Sequence, residues 1–439
     1  MRRTVAEHRA AVAGLLRWSS GYDGGAPELL PLPGALGRAL AEDIAAPVSL
    51  PPFDNSQMDG YAVHADDLGA PSALLVAEAI PAGSVPPPLE PGTAAPIMTG
   101  AMLPDGAAAV VPIERADPAQ FHSAADRAAG PVTVRLPGGI DTGLFVRRAG
   151  SDIAEGETAL PAGTLLGPAQ LGLLAACGVG AVRVRPRFRV LLLSTGDEVA
   201  EPGTPLAPGA IYDANSTLLE AALREAGAEV ARHRLLGDDP AVLRDAFDAI
   251  PSGSTHLVLS TGGISQGAYE VVKQALADSS VEFSSVALQP GGPQAHGTIS
   301  GIPFLGFPGN PVSALVSFEM FLRPALHRLT GIPAPRPVLD AVLVEALESP
   351  GAKHQVRRGL YRDGRVALVG GPDSHLLHAL AASNCLVHVP VGVAALAAGE
   401  RVELTLTGPE PADPFAVEDV LVLEDAGTGP ATTDGPGTG

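Results

Sequence analysis

The sequence predicts a multidomain α/β plus β protein, with a central parallel α/β domain flanked by smaller β-rich domains. Length is the first reason, because 439 residues at roughly 150 per domain suggest about three domains. The second is a stretch between residues 190 and 329 where bare apolar runs alternate with helix-like segments, the pattern of a parallel sheet covered on both faces. The third is that short apolar runs between Gly/Pro turns occupy the chain on either side, as in small all-β modules.

The elements follow in order. Residues 5–17 carry Val5, Val12, Leu15 and Leu16 with charges between them, a short amphipathic helix. Prolines punctuate residues 29–52. Within 70–145 the runs 74–80, 110–113 and 132–136 read as strands. A helix over 168–177 stops at Gly178 and leads into a strand over 179–184. The α/β pattern then begins with a strand over 190–193, a helix over 218–226 closed by Gly227, and a strand over 229–236. Next come a helix over 240–250, a strand over 256–260 and a helix over 269–277. A strand over 302–307 and a long helix over 312–329 complete it. Strands over 338–344, 359–361, 365–369, 386–389 and 401–406 make a further β piece. The residues from Asp425 on are too polar and glycine-rich to bury anything, and read as a disordered tail.

Charge and composition exclude several function classes. There are 28 basic and 48 acidic residues, a formal charge of −20. That is the wrong sign for a general nucleic-acid binder, which must displace counterions from phosphates. Two cysteines, Cys177 and Cys385, exclude a disulfide framework and a Cys-cluster metal site. Charges interrupt the N-terminus where a signal peptide needs its apolar core. The longest apolar run, 171–182, is broken by three glycines and is too short to span a bilayer. The expectation is a soluble cytoplasmic protein without nucleic-acid or membrane partners.

In open parallel sheets, ligands bind beyond the carboxyl ends of the strands. Four strand ends here carry unusual residues: Ser194-Thr195-Gly196-Asp197-Glu198, Gly237-Asp238-Asp239, Thr261-Gly262-Gly263-Ile264-Ser265 and Pro308-Gly309-Asn310-Pro311. Glycines let backbone N–H groups approach a phosphate, and hydroxyls add donors. Glu198, Asp238 and Glu270 have the wrong sign for phosphate unless a divalent cation lies between, which suits Mg²⁺. Asp239 before Pro240 reads instead as a structural N-cap. Asn310-Pro311 has the same form, but its cap is also a candidate anion site. Elsewhere, residues 51–63 pack polar and acidic groups without a clean period, either as a surface loop or as a functional one. Residues 146–153 form either an anion clamp or an internal Arg147–Asp152 salt bridge.

The segments FDNSQMDGYAV, IMTG, VRRAGSDI, STGDE, GDDP, STGGIS and FPGNPVSA, in this order, resemble the molybdopterin molybdenumtransferase family. The resemblance covers residues 53–313, and the C-terminal β piece fits the family's last domain. It implies an elongated four-domain homodimer with a molybdopterin-binding-type α/β domain. Its boundaries would be 1–48 with 146–184 as a discontinuous domain, 49–145 as a small β-rich domain, 185–332 as the α/β domain, 333–410 as the C-terminal β domain, and 411–439 as tail. The implied reaction inserts molybdate into adenylylated molybdopterin with Mg²⁺ assistance and releases AMP.

Family positions fall on Asp59, Thr99, Arg147, Asp152, Glu198, Asp238, Pro308, Pro311, Arg358 and Ser374. The resulting expectation makes Asp59, Glu198, Asp238 and Glu270 catalytic, with the last three also holding Mg²⁺. Thr99, Ser194, Thr195, Gly196, Thr261, Gly262, Gly263, Ser265, Pro308, Gly309, Asn310 and Pro311 bind the substrate, and Arg147, Arg358 and Ser374 are candidates for molybdate. Some positions depart from the family pattern. Glu270 stands where Asp is usual, and Ser285, Gln289 and Gly292 stand where some members carry lysines. His296 and His375 are also unexpected. His296 is either a replacement cation, protonating below about pH 6.5, or a packed neutral ring, and Gly292 raises the question of a positive φ. The pathway's adenylyltransferase and acceptor molybdoenzymes are candidate partners. Rival readings are a molybdopterin adenylyltransferase and a non-catalytic scaffold of the family.

Overall fold

The structure, a computed structural model, describes residues 2–19, 21–22, 26–234, 239–251, 253–264, 271–277, 279–332 and 334–409. Asp238, Ser265, Glu270 and the expected tail lie outside the described residues. The chain divides into two compact units, Pro27–Val184 and Met1–Ala26 with Arg185–Gly439. No described helix is long and apolar enough to cross a membrane.

Pro27–Val184 holds a sheet packed on both faces and, apart from it, a second core region. A five-stranded sheet runs in the order Ala107–Pro112, Gly60–His64, Thr93–Ile97, Ser72–Val76, Thr133–Leu136. Apolar side chains of Gly60–His64 alternate between its faces: Tyr61 and Val63 pack with Val111 and Val134, and Ala62 with Ile97 and Val110. The second core gathers Leu40, Leu166, Leu174 and Val182 around the helix Pro168–Ala176. There Glu28–Pro31 pairs antiparallel with Ala181–Val184.

The other unit is built on a six-stranded sheet in the order Glu229–Arg234, Arg189–Ser194, Leu257–Thr261, Ile302–Phe307, Pro293–Ile299, Glu282–Ser285. The first four strands are parallel, as expected. Pro293–Ile299 runs antiparallel to both of its neighbours, which corrects the all-parallel expectation. Ser300 and Gly301, both with positive φ, turn Pro293–Ile299 back onto Ile302–Phe307. Two successive positive-φ residues match the right-handed twist of a tight hairpin. The segment Pro293–Ile299 begins with proline and contains Gly297, which hid its strand character.

The helix Val5–Ser19 packs in this same unit, with Val12 and Leu16 buried among Phe188, Leu192 and Phe321. The expected long helix is observed as Pro311–Ser317, a wider π turn Phe318–Leu322, and Arg323–Thr330. Pro324 accounts for the interruption, because it has no N–H to return to the Met320 carbonyl. Arg9 Nε donates to that carbonyl instead, at 3.0 Å.

A second sheet forms from His354–Arg362, Arg365–Leu368, Val338–Leu343, Arg401–Leu406 and Cys385–Val389, and closes when the last pairs with the first. Leu288–Gln289 adds in parallel to its His354 edge.

Asp239 caps Pro240–Asp248 as the sequence suggested, its Oδ1 accepting from Ala241 N–H at 2.8 Å. Asp239→Ala is therefore expected to cost about 1 kcal/mol of stability, read from thermal melts.

His8 is fully buried, edge-on to Phe321 and His296 with ring centroids 4.6 and 5.3 Å away. Among the described residues neither of its ring nitrogens has a hydrogen-bond partner. Burial pushes its imidazole down to about 3, with His296 and Arg3 adding to the effect. The unfolded chain therefore binds the proton more readily than the folded one. The neutral ring's contribution is full above about pH 6.5 and is lost progressively as pH falls toward 3. His8→Phe should flatten the decline of melting temperature between pH 7 and 5 without lowering stability at pH 7. An unchanged slope assigns the acid sensitivity to other groups, such as buried His388, which burial pushes down to about 4.

Candidate functional site

The carboxyl ends of Arg189–Ser194, Leu257–Thr261 and Ile302–Phe307 border one cavity of about 740 Å³. Thr195, Gly196, Glu198, Gly262, Gly263, Pro308, Gly309 and Asn310 all line it. The structure thus brings together residues from three separate strand ends. Ser194 and Thr261 lie just beneath as the last paired residues of their strands, both buried. Thr261 Oγ1 accepts from Asn215 Nδ2 at 3.0 Å and donates to the Pro308 carbonyl at 3.4 Å. Asn215 Nδ2 also donates to the Gly309 carbonyl at 2.5 Å, which ties two of the loops together.

Close backbone approach explains one glycine here. Gly196 has φ 131°, and a Cβ on it would come within 2.7 Å of Glu198 Oε2. Any side chain would displace the Glu198 carboxylate, which folds back over the turn at the cavity edge.

The helix start at Asn310 differs from the expected cap. Asn310 makes no side-chain cap bond; its Nδ2 donates to Ser374 Oγ at 2.8 Å. Pro311 has no N–H, and the Val312 N–H donates to the Ser374 carbonyl at 3.2 Å. Ser313, at the third helical position, also lines the cavity. Ser374 itself lines the cavity.

Arg358 is 2% exposed and does not line the cavity. Its Nη1 donates to the Asp373 carbonyl at 3.1 Å, Nη2 to the Gly371 carbonyl, and Nε to the Val369 carbonyl at 3.4 Å. The guanidinium thereby shapes the loop that presents Ser374.

Ser285, Gln289 and Gly292 all line the cavity. Gly291, not Gly292, has the positive φ. His296 does not line it, and its Nε2 accepts from Arg3 Nη1 at 2.8 Å, which requires that nitrogen to be deprotonated. Burial and Arg3 both lower its pKa. The packed neutral ring is the structure's answer. His375 is exposed on the loop beside Ser374.

Asp59, Thr99 and Arg147 belong to Pro27–Val184. Asp59 Oδ1 accepts from the Thr99 N–H at 2.6 Å and from Thr99 Oγ1 at 2.7 Å. These two bonds, the backbone one first, hold the Asp59 carboxyl below the usual aspartate range. Gly60 anchors the pair to the sheet, since a Cβ there would lie 2.1 Å from the Val111 carbonyl oxygen. Arg147 Nη1 donates to Asn55 Oδ1 at 3.3 Å instead of pairing with Asp152. The ion pair of this segment forms one residue along, between Arg148 and Asp54 at 2.6 Å.

Comparison with known proteins shows the family. The MoeA N-terminal region (domain I and II) matches residues 3–178, the probable molybdopterin binding domain residues 191–328, and the MoeA C-terminal region (domain IV) residues 340–407. Molybdopterin molybdenumtransferase 2 of Mycobacterium tuberculosis is 44% identical over 418 residues, 92% of this chain and 99% of that protein. The chain belongs to the MoeA family. Another MoeA relative, molybdopterin molybdenumtransferase of Haemophilus influenzae, is 36% identical over 392 residues, 86% of this chain and 93% of its own. A crystal structure of a molybdopterin biosynthesis MoeA protein from Pyrococcus horikoshii superposes with a TM-score of 0.75 at 30% identity, covering 93% of this chain and all of that one.

Sequence reasoning about this MoeA chain passed over Asn215, Arg2, Lys353 and Asp373. Asn215 did leave a signal. It is a polar residue in a first helical turn already capped by Asp213, whose Oδ1 accepts from the Ser216 N–H. The other three line the cavity from segments distant in sequence.

Proposed function

We propose that this chain inserts molybdenum, supplied as molybdate, into adenylylated molybdopterin and releases AMP as the last step of molybdenum-cofactor biosynthesis. The supporting observation is the single cavity at the carboxyl end of the α/β sheet. Thr195, Glu198, Gly263, Gly309 and Asn310 converge there from three strand ends. Thr195 Oγ1 and the glycine-rich turns bind the substrate's phosphates, and the tie from Asn215 keeps the turns in place. The Asn310–Ser374 bond fixes a hydroxyl at the cavity wall, where Ser374 is the candidate donor for molybdate. Arg358 acts behind it by holding the loop, and Arg147 remains a candidate in the other unit.

The donor set fits Mg²⁺, which takes one or two carboxylates together with substrate phosphates. Glu198 supplies a hard carboxylate at the cavity, and Asp238 and Glu270 are the further proposed ligands. When bound, the ion offsets the charge of the phosphoanhydride. Asp59, oriented by Thr99, is the proposed catalytic acidic residue of Pro27–Val184. The protein is proposed to act as a cytoplasmic homodimer, with the pathway's adenylyltransferase and acceptor molybdoenzymes as partners.

Purified protein incubated with adenylylated molybdopterin, molybdate and Mg²⁺ tests the reading. AMP release matched by molybdenum in the pterin product supports it. ATP-dependent adenylylation of free molybdopterin would make the chain an adenylyltransferase, and absence of both reactions a scaffold.

A further inference from the structure

The cavity is not electrostatically ready for a phosphate ligand by its loops alone. Among the described residues that line it, Glu198 and Asp373 are acidic and Arg2 and Lys353 are basic. Their side-chain charges cancel. Ser285, Gln289 and Gly292, on the same wall, bring no charge. Without Arg2 and Lys353 the described lining would be net negative and would repel a phosphoanhydride.

Backbone pairing explains how two residues so far apart in sequence reach this wall. Arg3 bridges Val286 in parallel. Its N–H donates to the Ser285 carbonyl at 2.9 Å, and the Ala287 N–H donates back to the Arg3 carbonyl at 2.8 Å. This holds Arg2 next to Ser285. In the same stretch, Leu288–Gln289 pairs in parallel with His354–Gln355, and the His354 N–H donates to the Ala287 carbonyl at 2.9 Å. This brings Lys353 next to Ala287, at the wall that Gln289 also lines. Residues 285–289 are thus paired with two remote segments, each of which delivers one cation to the cavity.

The other nearby cations are already engaged. Arg3 pairs with Glu282 at 2.6 Å, and Arg358 donates to loop carbonyls. Lys353 is half-buried and Arg2 exposed, and among the described residues neither makes an ion pair or a side-chain hydrogen bond. A half-buried ammonium left without a counter-ion is poised for an anion that arrives with the substrate.

We propose that Lys353 and Arg2 are the cations that hold the phosphates of the substrate in this cavity, with Lys353 the stronger contributor. The proposal rests on the molybdopterin reading above and adds the residues that set affinity within it.

The test measures the Kd of adenylylated molybdopterin by pterin fluorescence, without molybdate, for the wild type, Lys353→Gln, Lys353→Arg and Arg2→Gln. Lys353→Gln is expected to weaken binding about tenfold or more, the factor for one charge-assisted hydrogen bond. Lys353→Arg should retain most of the affinity, and Arg2→Gln should lose less because it is exposed. Added KCl should weaken wild-type binding more steeply than that of Lys353→Gln. Gly292→Lys, placed in the Lys353→Gln background, should restore binding. A Cβ at Gly292 meets only the Leu288 and Val286 carbonyl oxygens, at 3.4 and 3.5 Å, so the loop accepts it. Melting temperatures accompany every variant.

Wild-type affinity in a Lys353→Gln protein overturns the inference, as does a Lys353→Arg protein that is folded and binds as poorly as Lys353→Gln. A folded wild-type protein that does not bind adenylylated molybdopterin overturns the molybdopterin reading itself, and this inference with it.

Discussion

Glu198→Gln is expected to lower AMP release about 100-fold or more and to leave the melting temperature where it is. The carboxylate lies at the cavity edge, exposed, folded over Gly196. A glutamine of the same shape can keep that packing but offers one neutral oxygen in place of a charged pair. The loss should therefore appear in metal affinity before it appears in fold. Calorimetric titration of Mg²⁺ in the presence of inorganic pyrophosphate gives a readout independent of turnover, and the variant should bind the ion more weakly. Gly196→Ala supplies the structural control. It keeps the carboxylate but displaces it, so it should lose activity together with some stability, because its backbone has φ 131°. If Glu198→Gln binds Mg²⁺ as the wild type does and keeps its rate, Glu198 leaves the proposed metal set.

Much of this site was legible because the informative residues sit where parallel strands end. Bare apolar runs marked Arg189–Ser194, Leu257–Thr261 and Ile302–Phe307, and residues following each run line one cavity. Local chemistry was readable too: Asp239 followed by Pro240 gave a cap, and Gly178 marked a helix end. Legibility ended where a residue's role depends on pairing across the chain. Nothing local at Lys353 or Arg2 reveals that both flank residues 285–289, since that follows from the Arg3–Val286 bridge and the Leu288–His354 register. His296 was ambiguous for the same reason, because its neutrality depends on Arg3 and on burial beside His8. The turn of π-helix before Pro324 shows an intermediate case. The sequence reads as one long helix over 312–329, and the packing of Arg9 against the Met320 carbonyl shows how the break before Pro324 is satisfied.

Arg358→Leu separates two roles that the sequence alone could not distinguish, direct molybdate donor and builder of the Ser374 loop. The guanidinium donates to the carbonyls of Val369, Gly371 and Asp373, and the side chain is 2% exposed. Leucine would fill part of the space but leave those acceptors without their donor. The expected cost is about 2–4 kcal/mol, seen as a lower melting temperature and faster hydrogen exchange across residues 369–376. Ser374 should then lose its fixed position, and its bonds with Asn310 Nδ2 and the Val312 N–H should loosen with it. AMP release should fall because the cavity wall is disordered, with kcat and the KM for molybdate both affected. Arg358→Lys should be intermediate in stability, since one ammonium cannot reach three carbonyls in the geometry of a planar fork. A different pattern would return Arg358 to the molybdate site. Unchanged exchange in 369–376 combined with a raised KM for molybdate alone would mean that the guanidinium turns toward the substrate during the reaction.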